Sequence, residues 1–397
     1  MAVFFIEMIR IMRYNKQSDG FVKGKKKADH GYCFDNKYVG ETTDMELIKL
    51  KDTDKYVTFG RTITDQEGTA LFWTGSGVEF NILSKNLYVN IECGYDNIEI
   101  MLDIILDGER TQKLVLDKGL KRYQVFSGMY GEKPVNVRII RDTQNMPEET
   151  NSFLIIKSFE TDGNLVDPPV YTSNIEFIGD SLTSGEGCGL TKRIEWIPVI
   201  FDAVESYTYK TAKLLNARYS VLSQSGWGLY ASWDNNLKNV LPDYYEDICG
   251  TSSCKKCIEL GAHDAWDFSS NEMDTVVINL GTNDMNAIKT ENVNKEEFIE
   301  GFKTKAVGFL KNVRINNEAC NIVWAYGMLG DEMEPYIKEA IEDYKRQTGD
   351  SRVEYLKLPE CKGEDVGVRF HPTPAAHEKV AKYLAEHLQS YQAFMLR

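Results

Sequence analysis

Ser181 stands just past the apolar run "IEFI" (Ile175–Ile178), on the glycine-rich backbone of "IEFIGDSLTSGEG". A serine hydroxyl attacks a carbonyl only when a base removes its proton and hydrogen-bond donors receive the oxyanion. Gly179 lets the chain turn sharply there, and the Ser181 amide itself can point into a site. The competing reading is a helix cap, a role that suits both Asp180 and Ser181. A base must come from five histidines: His30, His263, His371, His377 and His387. His30 lies in a polar leader, His263 near a cysteine cluster, and His377 and His387 inside the last helical pattern. His371 differs, because it precedes Pro372 in "RFHPTPAAH", on a loop whose backbone the proline restricts. It is the economical base for Ser181. Asn283, in "INLGTND", offers a side-chain amide that can donate to an oxyanion, with a turn or cap as the ordinary alternative.

These residues need elements to hold them. From Tyr56 to Ile156, nine strand-length runs, from "YVTFGRTI" to "FLIIKSF", are separated by turn signals such as "LDGER" and "MYGEKP". That spacing predicts an all-β antiparallel sandwich or jelly roll. Pro168 and Pro169 in "VDPPVYTSN" cannot sit in a central strand and mark a border. Beyond it, strand-length runs alternate with helical ones. "NIEFIG", "RYSVLSQS", "DTVVINLG" and "CNIVWAYG" are interleaved with "ESYTYKTAKLLNA", "KEEFIEGFKTKAVGFLKNVR" and "PAAHEKVAKYLAEHLQSYQAF". Strands rich in Val and Ile that alternate with helices predict a parallel sheet covered on both faces, an α/β three-layer, flavodoxin-like arrangement. The expected organisation is a leader over 1–40, a β-sandwich over 41–168 and an α/β domain over 169–397. Ligands of open parallel sheets bind beyond the strands' carboxyl ends. Those ends hold Gly179-Asp180-Ser181, Ser225-Gly226-Trp227-Gly228, Gly281-Thr282-Asn283-Asp284 and Gly327.

Four such signals, in this order, resemble the SGNH, or GDSL-type, hydrolases. "FIGDSLTSGEG" looks like their first block, "LSQSGWGL" the second, "VVINLGTND" the third and "FHPTPAAH" the fourth. The resemblance runs from Asn174 to the end. "FWTGSGVEF" and its neighbouring strands, with "WDFSSNEMDTVVINLGTND" and "VWAYGMLGDEM", are similar to carbohydrate esterase family two and its N-terminal jelly roll. The resemblance implies a serine esterase that removes O-linked acetyl groups from plant-polysaccharide sugars, xylo- or manno-oligosaccharides, through an acyl-enzyme. Ser181 would be the nucleophile and His371 the base. The Ser181 and Gly226 amides and the Asn283 side chain would form the oxyanion hole, with Gly228 as the rival second donor. The family commonly places an aspartate three or two residues before the histidine. Val368 and Arg369 occupy those positions, and Glu364 and Asp365 are displaced. This implies a Ser-His dyad whose ring is held by a backbone carbonyl. Trp227, beside the presumed oxyanion donor, is expected to line the sugar subsite. Trp73, Trp233 and Trp266 are further aromatics that either pack or stack.

Composition bounds the rest. The 397 residues are 42% hydrophobic and 27% charged, with 60 acidic against 46 basic residues and a net charge of -14. This excludes a disordered chain and argues against nucleic-acid partners. "KGKKK" (Lys23–Lys27) reads as a solvated tail. No run of 18 apolar residues predicts a membrane span. "MAVFFIEMIRIMRYNK" is interrupted by Glu7 and Arg10 and lacks a cleavage site, so a cytoplasmic address is expected. Eight cysteines are scattered. Cys249, Cys254 and Cys257, followed by His263, read as free thiols in a loop, with a zinc site or a disulfide as alternatives. A serine mechanism requires no metal or organic cofactor. The alternatives to a sugar esterase are an acyl hydrolase acting on a lipid or thioester, and a carbohydrate-binding protein with a relic hydrolase domain.

Overall fold

The computed structural model describes residues 45–128, 131–189 and 195–395. The expected leader, with His30, Cys33 and Lys23–Lys27, lies outside them.

Twelve strands between Glu46 and Leu165 form two six-stranded antiparallel sheets. In Leu87–Gly94 the side chains alternate, and Leu87, Val89, Ile91 and Cys93 are buried. Phe80, Ile82, Ile104, Val137 and Ile139 of the other sheet join them in one core cluster. A period of two with one face buried is what two facing antiparallel sheets require. The run "YVTFGRTI", read as one strand, is two. Gly60 takes φ 70°, so Val57–Phe59 pairs with Gly77–Leu83, and Thr62–Asp65 crosses to Gly68–Leu71 in the other sheet.

The second half builds a five-stranded parallel sheet from β1 (Ser173–Gly179), β2 (Ala217–Ser223), β3 (Thr275–Asn279), β4 (Asn321–Tyr326) and β5 (Val353–Lys357). Its spatial order is β2-β1-β3-β4-β5. Val276, Val277 and Ile278 are all buried because both faces are covered. Helices α1 (Lys295–Asn316) and α2 (Glu334–Thr348) supply Phe298, Phe302, Phe309, Ile337 and Ile341 to one core cluster. The helix Tyr207–Leu214 and the closing helix Pro374–Met395 supply Tyr207, Ala212, Val380 and Leu384 to the other. Helix α2 and strand β5 extend the layout read from the sequence. The order reverses between β1 and β3, and in such sheets the crevice at that switch point is where ligands sit. Among the described residues, no helix is long and apolar enough to cross a membrane.

The two halves are joined by buried polar groups. Arg61, fully buried, bonds Glu176 of β1 at 3.2 Å and the carbonyls of Tyr245 and Asp247. The rings of Tyr245, Trp266 and Phe268 surround its guanidinium at 5.1 to 5.5 Å. Trp73 is fully buried and donates to the Ile248 carbonyl, so it packs. Lys113 reaches Asp142 at 2.8 Å and Asp202 at 3.0 Å, and Arg110 reaches Asp202 at 2.7 Å. Asp142 also accepts from the Ala203 amide. Burial, helped by the neighbouring Asp142 charge, pushes the Asp103 carboxyl beside them up to about 8.

Candidate active site

At the end of β1 the chain turns so tightly that a Cβ on Gly179 would lie 2.0 Å from the Thr183 hydroxyl. Asp180 caps the short helix Ser181–Ser184 by accepting from the Leu182 amide at 3.0 Å. The capping role falls to Asp180 and leaves the Ser181 hydroxyl free of it. The cap fixes the turn that presents Ser181, whose Oγ lies 2.8 Å from His371 Nε2. His371 Nδ1 lies 2.8 Å from the Arg369 carbonyl. A carbonyl only accepts, so Nδ1 carries the proton and Nε2 offers its lone pair to the hydroxyl. This is the tautomer that a base for Ser181 needs.

The loop holding that carbonyl is strained. Arg369 and Phe370 take φ 51° and 61°, a left-handed conformation that costs roughly 1–2 kcal/mol per residue for L side chains. Two backbone bonds close the turn, Gly367 N to His371 O at 2.7 Å and His371 N to Val368 O at 3.0 Å. The Arg369 side chain is anchored on Glu186 at 2.9 Å. Asp365 is turned to Lys379, at 2.7 and 2.8 Å. The carboxylate that approaches the ring is Glu186, whose Oε2 is 3.7 Å from Nε2.

Asn283, buried at the start of the helix Thr282–Ile288, donates from Nδ2 to Asp180 Oδ2 at 3.1 Å and to the Trp227 carbonyl at 2.9 Å. Both amide hydrogens are thus engaged. Burial pushes the Asp180 carboxyl up to about 7, with the Asp284 and Glu186 charges adding to it. Gly226 takes φ 80°. Among the described residues, neither its amide nor that of Ser181 donates to a protein acceptor. The stretch after Gly228 is occupied otherwise: the amides of Leu229, Tyr230 and Ala231 all donate to Asp284. Burial pushes Asp284 up to about 6, and these amides oppose the shift. Gly228 is wedged so closely that a Cβ would lie 2.0 Å from the Ala231 carbonyl.

The aromatics divide. Trp227 is 9% exposed and its ring centre lies 5.4 Å from that of Tyr244. Trp233 is 60% exposed, and its amide donates to the Gly226 carbonyl. A Cβ on Gly226 would lie 3.0 Å from its Cδ1. Phe370 is 84% exposed, next to His371.

Two groups at the site, Glu186 and Gln144, escape sequence reasoning. Ser225 donates to Glu186, which is fully buried. Gln144, from the antiparallel half, accepts from Ser184 Oγ at 3.0 Å and from the Ser225 amide at 3.1 Å. The signal for Glu186 was its charge among the small residues of "TSGEG"; Gln144 carried none. The other histidines lie elsewhere. Buried His377 accepts at Nδ1 from the Tyr207 amide, and burial pushes it down to about 3. His387 bonds Glu354, and His263 bonds the Ser252 carbonyl. Cys249, Cys254 and Cys257 are free and buried. Cys249 lies in a bend, as the loop reading expects, while Cys254 stands at the N-cap position of the short helix Lys255–Glu259 and Cys257 lies within it.

A family model described as GDSL-like Lipase/Acylhydrolase matches residues 175–384, more than half of the chain. The chain belongs to the GDSL-like lipase/acylhydrolase family. This GDSL-like hydrolase is similar to a solved acetyl xylan esterase from the rumen bacterium Butyrivibrio proteoclasticus. The TM-score is 0.85 and identity 32%, covering 88% of this chain and 99% of that one. It also matches a family two carbohydrate esterase from Clostridium thermocellum in complex with cellohexaose, with TM-score 0.72 and 26% identity over 85% of this chain and 99% of that one. By sequence it is 27% identical over 332 residues to the cellulase/esterase CelE of Acetivibrio thermocellus. That match takes in 82% of this chain and only 38% of the relative's length. It is 24% identical over 342 residues to the acetylxylan esterase / glucomannan deacetylase of Cellvibrio japonicus, covering 83% and 87% respectively. The GDSL-like hydrolase therefore resembles the family two carbohydrate esterases in both its antiparallel and its parallel halves.

Proposed function

We propose that the protein is a carbohydrate O-acetylesterase acting on acetylated xylo- or manno-oligosaccharides. The observation that carries this reading is the Ser181 Oγ to His371 Nε2 contact of 2.8 Å, with the ring tautomer set by the Arg369 carbonyl. Ser181 attacks the acetyl carbonyl as its proton passes to Nε2. The oxyanion is met by the Ser181 and Gly226 amides and by Asn283 Nδ2, which is released from Asp180 or Trp227. Collapse expels the sugar alkoxide, which takes the proton back from His371. Water, deprotonated by the same ring, then releases acetate and restores Ser181.

Two things support sugar as the alcohol. The relatives named above include an acetyl xylan esterase and a glucomannan deacetylase. Trp233 and Phe370 also present exposed aromatic faces beside Gly226 and His371, on which a pyranose ring can stack. Trp227, 9% exposed and packed on Tyr244, would line the same subsite next to Gly226. In the cytoplasm, short imported oligosaccharides would be the substrates.

The test is acetate release from acetylated xylo-, manno- and cello-oligosaccharides, run beside p-nitrophenyl esters of increasing acyl length. The expected result is acetate from at least one sugar series and a rate that falls with acyl length. Faster turnover of long acyl chains would replace this reading with a lipase-type one. Bound sugar with no acetate released would make it a binding module.

A further inference from the structure

We infer that Glu186 is a positioning residue for His371, and that it supplies from the Nε2 side the negative charge that no aspartate supplies on the Nδ1 side. The reasoning starts from burial. A fully buried carboxylate is costly unless it is paired, and Glu186 is fully buried on the loop directly after the Ser181 helix. Its partners all belong to the site. Oε1 meets Arg369 at 2.9 Å, and Oε2 accepts from Ser225 Oγ and stands 3.7 Å from His371 Nε2. The loop is pressed onto the histidine, since a Cβ on Gly187 would lie 2.7 Å from His371 Cβ.

Two effects follow from this one carboxylate. First, it anchors the side chain of Arg369, whose main-chain carbonyl holds His371 Nδ1 at 2.8 Å. The left-handed turn at Arg369 and Phe370 is unfavourable by itself, and the ion pair is the side-chain contact that opposes its relaxation. Second, when Nε2 takes the Ser181 proton, the imidazolium forms within Coulomb range of Oε2, which favours the charged ring. The other titratable groups around the ring are accounted for. Asp180 is buried and pushed up to about 7. His377 on the closing helix is pushed down to about 3 by burial, with Lys210 and His371 adding to that shift. Asp365 is held by Lys379. Glu186 and Arg369 remain as the opposed pair that sets the field at Nε2.

The experiment compares Glu186→Gln, Arg369→Met and Arg369→Lys, reading the His371 imidazole titration by NMR and the acid limb of kcat/KM on p-nitrophenyl acetate. Glu186→Gln removes the charge and keeps an acceptor for Ser225. The His371 pKa and the acid limb should fall by about 1 unit, and kcat should fall about tenfold with KM held. Arg369→Met leaves Glu186 uncompensated, so both readings should move up by about 1 unit. Arg369→Lys should restore the wild-type titration. Opposite shifts are something a purely structural role cannot produce. An unmoved His371 titration in both variants, or shifts of the same sign, would overturn the inference even if rates fell. The kinetic arm rests on the esterase reading. The NMR arm does not, so a protein without esterase activity whose histidine still shifts in opposite directions would sink that reading and leave this inference standing.

Discussion

Replacing Asp365 with Ala separates a carboxylate-held histidine from a carbonyl-held one. Asp365 lies close to His371 in sequence, where an orienting acid is sought, yet its side chain is 22% exposed and both its oxygens bond Lys379. Lys379 is itself 62% exposed. Losing such a pair strands no buried charge and costs about 0–1 kcal/mol of stability. The backbone bond from the Thr373 amide to the Asp365 carbonyl, 2.8 Å, does not depend on the side chain, so the loop keeps its course. The contact that holds the ring is Arg369 O to Nδ1 at 2.8 Å, which Asp365→Ala leaves untouched. The rate of Asp365→Ala should thus stay within about twofold of wild type. His371→Ala removes the base itself and should lose roughly 10²–10⁴-fold. The assay is kcat/KM on p-nitrophenyl acetate for both variants, with thermal melting as a check on folding. Had Asp365 been the third member of a triad, its loss would cost about 10⁴-fold in kcat. A drop in the Asp365→Ala rate that matched His371→Ala, in a protein that melts normally, would refute the carbonyl-held dyad.

Gly226→Ala forces a side chain into φ 80° and to within 3.0 Å of Trp233, so displacement of the donor amide should lower kcat about 10²-fold in steady-state assays. Trp233→Ala should weaken binding of acetylated oligosaccharide by ~1 kcal/mol, about fivefold, with p-nitrophenyl acetate turnover kept; unchanged calorimetric affinity would remove it from the subsite. Trp227→Ala should likewise weaken oligosaccharide binding in the same titration, and an unchanged affinity would remove Trp227 from the subsite. Arg61→Met leaves Glu176 buried without its partner and should cost about 3–5 kcal/mol in denaturant unfolding, most of it regained in the Arg61→Met/Glu176→Met double variant. Buried His377 stays neutral in the fold down to about 3, whereas its ordinary value is 6.5. The unfolded chain therefore binds the extra proton in that window, and stability due to this residue is complete above pH 6.5 and lost as the pH falls towards 3. A His377→Asn variant should show a shallower acid loss, by up to about 1.4 kcal/mol per pH unit.

The elements legible from sequence were those whose pattern has one cause. β3 reads as an unbroken Val/Ile run because both its faces are covered, and Leu87–Gly94 alternates because only one face is. The edge strand β5, "VEYLK", is half-exposed with mixed polarity, and its preceding helix α2 shows a narrow stripe of Ile337, Ala340, Ile341 and Tyr344 in a charged sequence. β5 carries no clear period, whereas α2 does, its four buried residues recurring at i, i+3, i+4 and i+7. Gly60 hid a change of sheet, because one glycine in an alternating run looks like any other strand residue. At the site, Ser181 and His371 were legible because a strand end and a proline-restricted loop exposed them. Glu186, Arg369 and Gln144 were not, since their meaning lies in contacts made across the fold.

Gln144 carries the largest consequence. It comes from the antiparallel half, yet it bridges the loop after β1 to the loop after β2, the two segments that carry Ser181 and Gly226. The hydrolase half is thus not a portable cassette. Transplanted alone onto another protein, it would leave this brace behind, and natural shuffling of the two halves would have to preserve an amide reaching in from next door.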